Sequence, residues 1–146
     1  MQLRRYMLVR LILQDGDKIL LLQQLLRNGG KYTLVGGKIQ VLETPTEALI
    51  RETKEESGAI VLEEDLEFVQ YIYQRKSSMI NTILVFRARK WTGTIQNLEP
   101  HKFGAIGWFS LDALPDRITK STKHILRHLV KGSYYSDISS KKRLVK

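Results

Sequence analysis

The sequence predicts an α/β fold in which helices pack on the faces of a mixed β-sheet. Apolar runs of strand length recur along the 146 residues, and two helix patterns stand well apart among them. No internal repeat, low-complexity block or Pro/Gly-rich linker divides the chain, so one domain is expected. Hydrophobic residues make up 42% of the chain, enough for one core at this length.

Leu8 to Leu13 and Ile19 to Leu22 are the first apolar runs, separated by Asp15-Gly16-Asp17. Asp-Gly accommodates the positive φ of a tight turn, so the two runs read as a hairpin. Leu25 to Lys31 carries Asn28-Gly29-Gly30, a loop before a short extended piece at Tyr32 to Val35.

A helix follows. Thr44 is a good N-cap, Pro45 suits the first helical position and Glu47 completes a Thr-x-x-Glu capping box. The helix should run to Ser57, where Gly58 can take the left-handed C-terminal conformation. Leu66 to Tyr73 and Ile80 to Arg89 read as strands paired through a polar turn at Arg75-Lys76-Ser77-Ser78. Ala105 to Phe109 reads as the final short strand, before a turn at Leu114-Pro115-Asp116. A second helix is expected from Ser121 to Lys131, stopped by Gly132, with Ile125, Leu126 and Leu129 as its apolar side. The domain is thus expected over residues 1–136. Residues 137–146, with Lys141, Lys142, Arg143 and Lys146, read as a basic, flexible tail.

The absence of cysteine excludes disulfides and thiolate metal sites and fits a reducing cytoplasm. Met7 to Leu13 lacks a small-residue cleavage site and is far too short to span a bilayer, so no membrane partner is expected. The net charge of +9 favours anionic partners without choosing among them, and solubility alone would also account for the tail. Tyr71, Tyr73 and Trp108 read as packing residues. His124 and His128 lie one helical turn apart but lack a third ligand, and read as exposed helix histidines.

The chemistry concentrates in residues 37–59, GKIQVLETPTEALIRETKEESGA. Glu52, Glu55 and Glu56 stand at i, i+3 and i+4, within about 100° of arc on one helix face. Such like charges repel, and Arg51 and Lys54 offset only part of the conflict. A hard divalent cation with oxygen ligands resolves it and can bridge carboxylates to phosphates. Gly36-Gly37 supplies backbone freedom beside this face.

Gly37, Glu43, Arg51, Glu52, Glu55, Glu56 and Gly58 follow the spacing G-x5-E-x7-RE-x2-EE-x-G. That pattern resembles the Nudix box at all seven fixed positions. With each residue type at roughly 7% abundance, chance supplies such a match in about one chain in a million. The chain is therefore identified as a member of the Nudix hydrolase superfamily. The resemblance implies a Nudix-type α/β/α sandwich with a mixed β-sheet and a catalytic loop-helix-loop. It also implies Mg²⁺, with Mn²⁺ as a substitute, held by the Gly36 carbonyl, Glu52, Glu55 and Glu56. Arg51 resembles the arginine that orients a catalytic glutamate. Glu43 resembles the box glutamate that supports this network or an additional metal, and Gly37 and Gly58 complete the support.

Similarity extends beyond the box. Tyr32-Thr33-Leu34-Val35-Gly36-Gly37 resembles the family's aromatic-x-Leu-Pro-Gly-Gly entry, with Val35 in place of proline. Residues 107–115, GWFSLDALP, resemble the strand and turn near the end of MutT-like members. Glu99-Pro100-His101-Lys102 is similar to a Glu-Pro-x-Lys run of a nucleotide-hydrolysing branch, which makes Glu99 a candidate metal ligand or general base. Three departures stand out. Thr53 and Ala59 replace bulkier aliphatic residues, and Val35 would loosen the glycine loop.

By resemblance the substrate is a nucleoside diphosphate linked to a further group. A bound cation would neutralise its phosphate oxygens and activate the attacking water. No proline stands between Pro45 and Pro100, as ADP-ribose cleavers carry, and the polar turn near Ser77 replaces the tyrosine of dinucleotide cleavers. A nucleoside triphosphate is therefore expected, cleaved to a monophosphate and pyrophosphate. An RNA-end hydrolase (cap or 5'-phosphate) or an RNA-binding Nudix protein is the alternative that the charge encourages. No stripe of aromatic and basic residues supports it, so nucleic acid is not the favoured partner. A non-catalytic nucleotide sensor is a further alternative, but this box keeps every carboxylate. The oligomeric state is left open, a homodimer included.

Overall fold

The structure, a computed structural model, describes residues 2–139. Its strands are β1 (Arg4–Asp15), β2 (Lys18–Gln24), β3 (Tyr32–Thr33), β4 (Val35–Lys38), β5 (Glu67–Lys76), β6 (Met79–Ala88), β7 (Phe103–Ser110) and β8 (Tyr135–Ser139). The helices are α1 (Pro45–Ser57) and α2 (Lys120–Lys131), with single 3-10 turns at Leu26–Asn28 and Glu63–Asp65. The eight strands follow the order β3-β2-β1-β6-β5-β8, with β4 on β1 and β7 on β2. β1 runs parallel to β6 from Arg4↔Met79 to Leu13↔Ala88, and β8 parallel to β5; every other pairing is antiparallel.

Period-two alternation along β1 explains why both faces carry a helix. Val9, Leu11 and Leu13 point to one side and pack with Ala48 and Leu49 of α1. Ile12 and Leu8 point to the other and join Ile72, Ile83, Val85, Ile125 and Leu126, the last two from α2. The result is the expected α/β/α sandwich with a mixed sheet. No helix among the described residues is long and apolar enough to cross a membrane.

The structure corrects the sequence reading in several places. The extended piece at Tyr32 to Val35 is two strands: β3 pairs with β2, and after Leu34 the chain crosses to pair with β1 as β4. Ala105 to Phe109 lies within β7, which is not the final strand. β8 adds to β5 from Tyr71↔Tyr135 to Arg75↔Ser139 and buries Ile138, so residues 137–139 belong to the sheet rather than to a tail beginning at 137. Its alternation is weak, and its order comes from β5's backbone rather than its own pattern. Lys141, Lys142, Arg143 and Lys146 lie outside the described residues.

β8 also changes the histidines. His124 and His128 are half-buried and stacked at 4.0 Å, and His124 Nε2 lies 2.7 Å from Ser136 Oγ. Burial, then the neighbouring His128 and Arg127, push His124 below the usual histidine range.

The three departures from the family pattern are absorbed. Thr53 is fully buried, and its hydroxyl donates to the Leu49 carbonyl at 2.7 Å, so burial leaves it satisfied. Val35 and Ala59 are also fully buried, in the core on the α1 side.

Candidate active site

Local chemistry fixes α1 at both ends. Thr44 Oγ1 accepts from the Glu47 amide and the Glu47 carboxylate accepts from the Thr44 amide, the reciprocal pair its sequence predicts. Gly58, at φ 76°, closes the helix and donates to the Lys54 carbonyl. Held in this way, α1 turns Arg51, Glu52, Glu55 and Glu56 toward different surroundings.

Glu56 faces the sheet and is 1% exposed. Its carboxylate accepts from the Gly36 amide of β4 at 2.8 Å. Gly36 sits at φ 147°, and a Cβ there would collide with the Val9 carbonyl of β1. At Gly37 the obstacle is different: an added Cβ would stand 2.6 Å from Glu52 Oε1. Gly36 thus lets β4 lie close against β1, and Gly37 lets it lie close against the Glu52 side chain of α1.

Glu99 comes from the loop between β6 and β7. Its amide donates to Asn97 Oδ1 at 3.2 Å, and Asn97 Nδ2 donates to the Phe103 carbonyl at 2.8 Å. The same loop donates from the Gln96 amide to the Ser57 carbonyl and from the Leu98 amide to that of Glu56. One carboxylate oxygen from each of Glu52, Glu56 and Glu99 lies within 4.8 Å of the others.

Glu55 is not brought into this cluster. Its side chain is 52% exposed and meets Arg51 Nη1 at 3.2 Å. Arg51 spreads over three acids. Nε and Nη2 donate to the two Glu43 oxygens at 2.5 and 3.0 Å, and Nη1 also reaches Glu52 Oε1 at 3.0 Å. The Arg51 bond holds the Glu43 carboxyl below its ordinary range.

Glu52 and Glu56 line a cavity of about 860 Å³. Arg10 and Leu8 of β1 and Gln74 of β5 line it along the sheet, with Lys102 and the start of α2 at Lys120 on other walls. Sequence reasoning missed Arg10 as a site residue. The signal was present: Arg10 is the one charged residue inside the apolar run Met7 to Leu13. Burial pulls its pKa down, while Glu56 and Glu52 favour its charge.

Burial pushes the Glu56 carboxyl up to about 8, the Gly36 hydrogen bond opposing and Glu52 reinforcing the shift. Lys102 Nζ, 3.9 Å from Glu56 Oε2, and Arg10 pull it back. Three converging carboxylates, one of them driven toward its neutral form, fit a hard divalent cation. Oxygen-only donors suit such an ion, and its charge relieves the repulsion and burial cost together.

The NUDIX domain model matches residues 3–129. The uncharacterised Nudix hydrolase YvcI of Bacillus subtilis is 29% identical over 125 residues, which cover 83% of this chain and 77% of that protein. The NAD-capped RNA hydrolase NudC of Pectobacterium carotovorum subsp. carotovorum is 25% identical over 103 residues, 70% of this chain. The match spans only 38% of that longer relative. A MutT NUDIX hydrolase from Burkholderia pseudomallei superposes with a TM-score of 0.78 at 25% identity, covering 85% of this chain and 97% of its own. With the box folded around clustered carboxylates and the domain model spanning most of its length, the chain belongs to the Nudix family of hydrolases, which act on phosphoanhydride bonds.

Proposed function

We propose that this chain is a Mg²⁺-dependent nucleoside triphosphate pyrophosphohydrolase that releases a nucleoside monophosphate and pyrophosphate. The observation that carries this reading is the Glu52, Glu56 and Glu99 cluster, two of whose members line a cavity whose cationic lining comprises Arg10, Lys38, Lys76, Lys102 and Lys120. In it the three carboxylates hold Mg²⁺ (or Mn²⁺ in its place), with the Gly36 carbonyl as a further ligand. Bound there, the cation supplies charge neutralisation for the phosphate oxygens and activation of water. Arg10 and Lys102 bind and orient the remaining phosphate charge. Arg51 is a positioning residue that fixes the Glu52 carboxylate through Nη1, braced in turn by Glu43. Glu55 contributes from the outer side through Arg51.

A screen of nucleotides, dinucleotides and capped RNA, with and without Mg²⁺ and with products identified, tests the reading. Hydrolysis in ¹⁸O-labelled water then locates the bond. Monophosphate plus pyrophosphate is the expected outcome, and orthophosphate plus diphosphate would refute the cleavage mode. The NudC relatives and the net charge of +9 favour an RNA 5'-end as the second reading. Turnover of capped RNA with none of free triphosphates would establish it instead.

A further inference from the structure

The cavity runs well past the carboxylates along the sheet face that carries α2. Strand register lays its floor out in rows. Arg10 stands level with Val85, Leu8 with Ile83 and Ile72, and Tyr6 with Asn81 and Gln74. The second row is apolar, but the third interrupts it with two carboxamides that are 5% and 8% exposed. Asn81 Nδ2 donates to Gln74 Oε1 at 3.0 Å. That bond occupies Gln74 Oε1, and Gln74 itself lines the cavity, so its NH₂ is the group it can offer a ligand there. Asn81 Oδ1 is buried with no donor. A buried carboxamide left short of a partner costs a fold stability, and a polar group that reaches the pair from the cavity relieves that cost. Strand geometry places the Cα of Gln74 roughly 17 Å from that of Arg10, which separates a phosphate end from a distal end of the cavity.

We propose that Gln74, locked by Asn81, is a specificity-determining residue that donates a hydrogen bond to a carbonyl oxygen of the substrate's nucleobase. The proposal rests on the nucleotide reading above and adds the class of base: one with a keto group where its counterpart carries an amine. Asn81 is a positioning residue, since its own side chain does not line the cavity.

The test compares kcat/KM for GTP with ATP and for UTP with CTP, at saturating Mg²⁺, in wild-type protein, Gln74→Leu and Gln74→Glu. Ribose 5-triphosphate reports the phosphate end without a base. Wild type should favour the keto member of each pair by about tenfold, the scale of one hydrogen bond. Gln74→Leu should abolish that ratio. Gln74→Glu, which still accepts from Asn81 but offers the cavity an acceptor, should tilt it toward ATP and CTP. A merely structural role for Gln74 would lower all four activities alike. An even wild-type ratio, or one retained in folded Gln74→Leu protein, overturns the proposal. If no triphosphate turns over, ribose 5-triphosphate included, the proposed function fails. Calorimetric affinities for GMP against AMP then decide the base preference on their own, and equal affinities overturn it.

Discussion

The Gly36 amide donates to the Glu56 carboxylate at 2.8 Å, so a strand backbone, not a second side chain, holds the most buried acid of the cluster. Glu56→Gln preserves volume and an oxygen to accept this bond, and should therefore fold. It should lose on the order of a hundredfold or more in kcat if Glu56 holds the cation. Glu52→Gln should behave similarly, and the double variant should cost far less than the product of the two losses, because both act through one site. Circular dichroism with kcat measurement checks this, and wild-type turnover in folded Glu56→Gln protein would remove the metal-site assignment.

The raised Glu56 pKa has a consequence for metal-free stability. The folded state keeps its proton up to about pH 8, whereas an unfolded glutamate loses it near the ordinary value of 4.5. Between those values the native state binds more protons than the unfolded one, so stability should fall as pH rises. Saturating divalent cation should cancel the trend, and Glu56→Gln should flatten it in the metal-free protein. Urea midpoints from pH 5 to 8 with chelator provide the measurement. A metal-free midpoint that rises across this window would contradict the buried, protonated state.

The adjacent glycines should fail in different ways. At Gly36 the collision is with the Val9 carbonyl and φ is 147°, so Gly36→Ala should disrupt the pairing of β1 and β4 and cost the fold several kcal/mol. At Gly37 the obstacle is the carboxylate end of a flexible side chain. Gly37→Ala should therefore fold, displace Glu52 and lower divalent-cation affinity. Thermal melts and cation titrations of both variants separate the two outcomes.

Leu42 occupies the left-handed region at φ 68° and is 98% exposed. Its side chain gains nothing from burial and strains the loop that presents Glu43 to Arg51. Leu42→Gly should raise stability by about 0.5–1 kcal/mol, the strain relieved exceeding the added chain entropy. A lowered urea midpoint would show that Leu42 makes a compensating contact.

Much of the fold was legible because its signals are local. Thr44, Pro45, Glu47 and Gly58 mark the bounds of α1 through hydrogen bonds that each residue type makes wherever it stands. Helical periodicity placed Glu52, Glu55 and Glu56 on one arc. It could not show that Glu56 turns to the sheet and Glu55 to solvent, because the rotation of α1 is set by packing of Ala48 and Leu49. β8 was missed for a related reason: its partner lies more than sixty residues away, and Ile138 alone is a faint apolar signal. Glu99 entered through resemblance, while its place beside Glu52 depends on backbone bonds from the Gln96 and Leu98 amides to the end of α1.

Those two amides also set how much change in length the molecule can absorb. The Ser57 and Glu56 carbonyls act as a fixed anchor for the chain just before Glu99. An insertion between Asn97 and Glu99 would swing the third carboxylate away while leaving every strand pairing intact. Extra residues at the exposed Ser77-Ser78 turn would leave the acids undisturbed. Among relatives that diverge in size, length should thus drift freely at the hairpin and stay constant over the short run from Gln96 to Phe103.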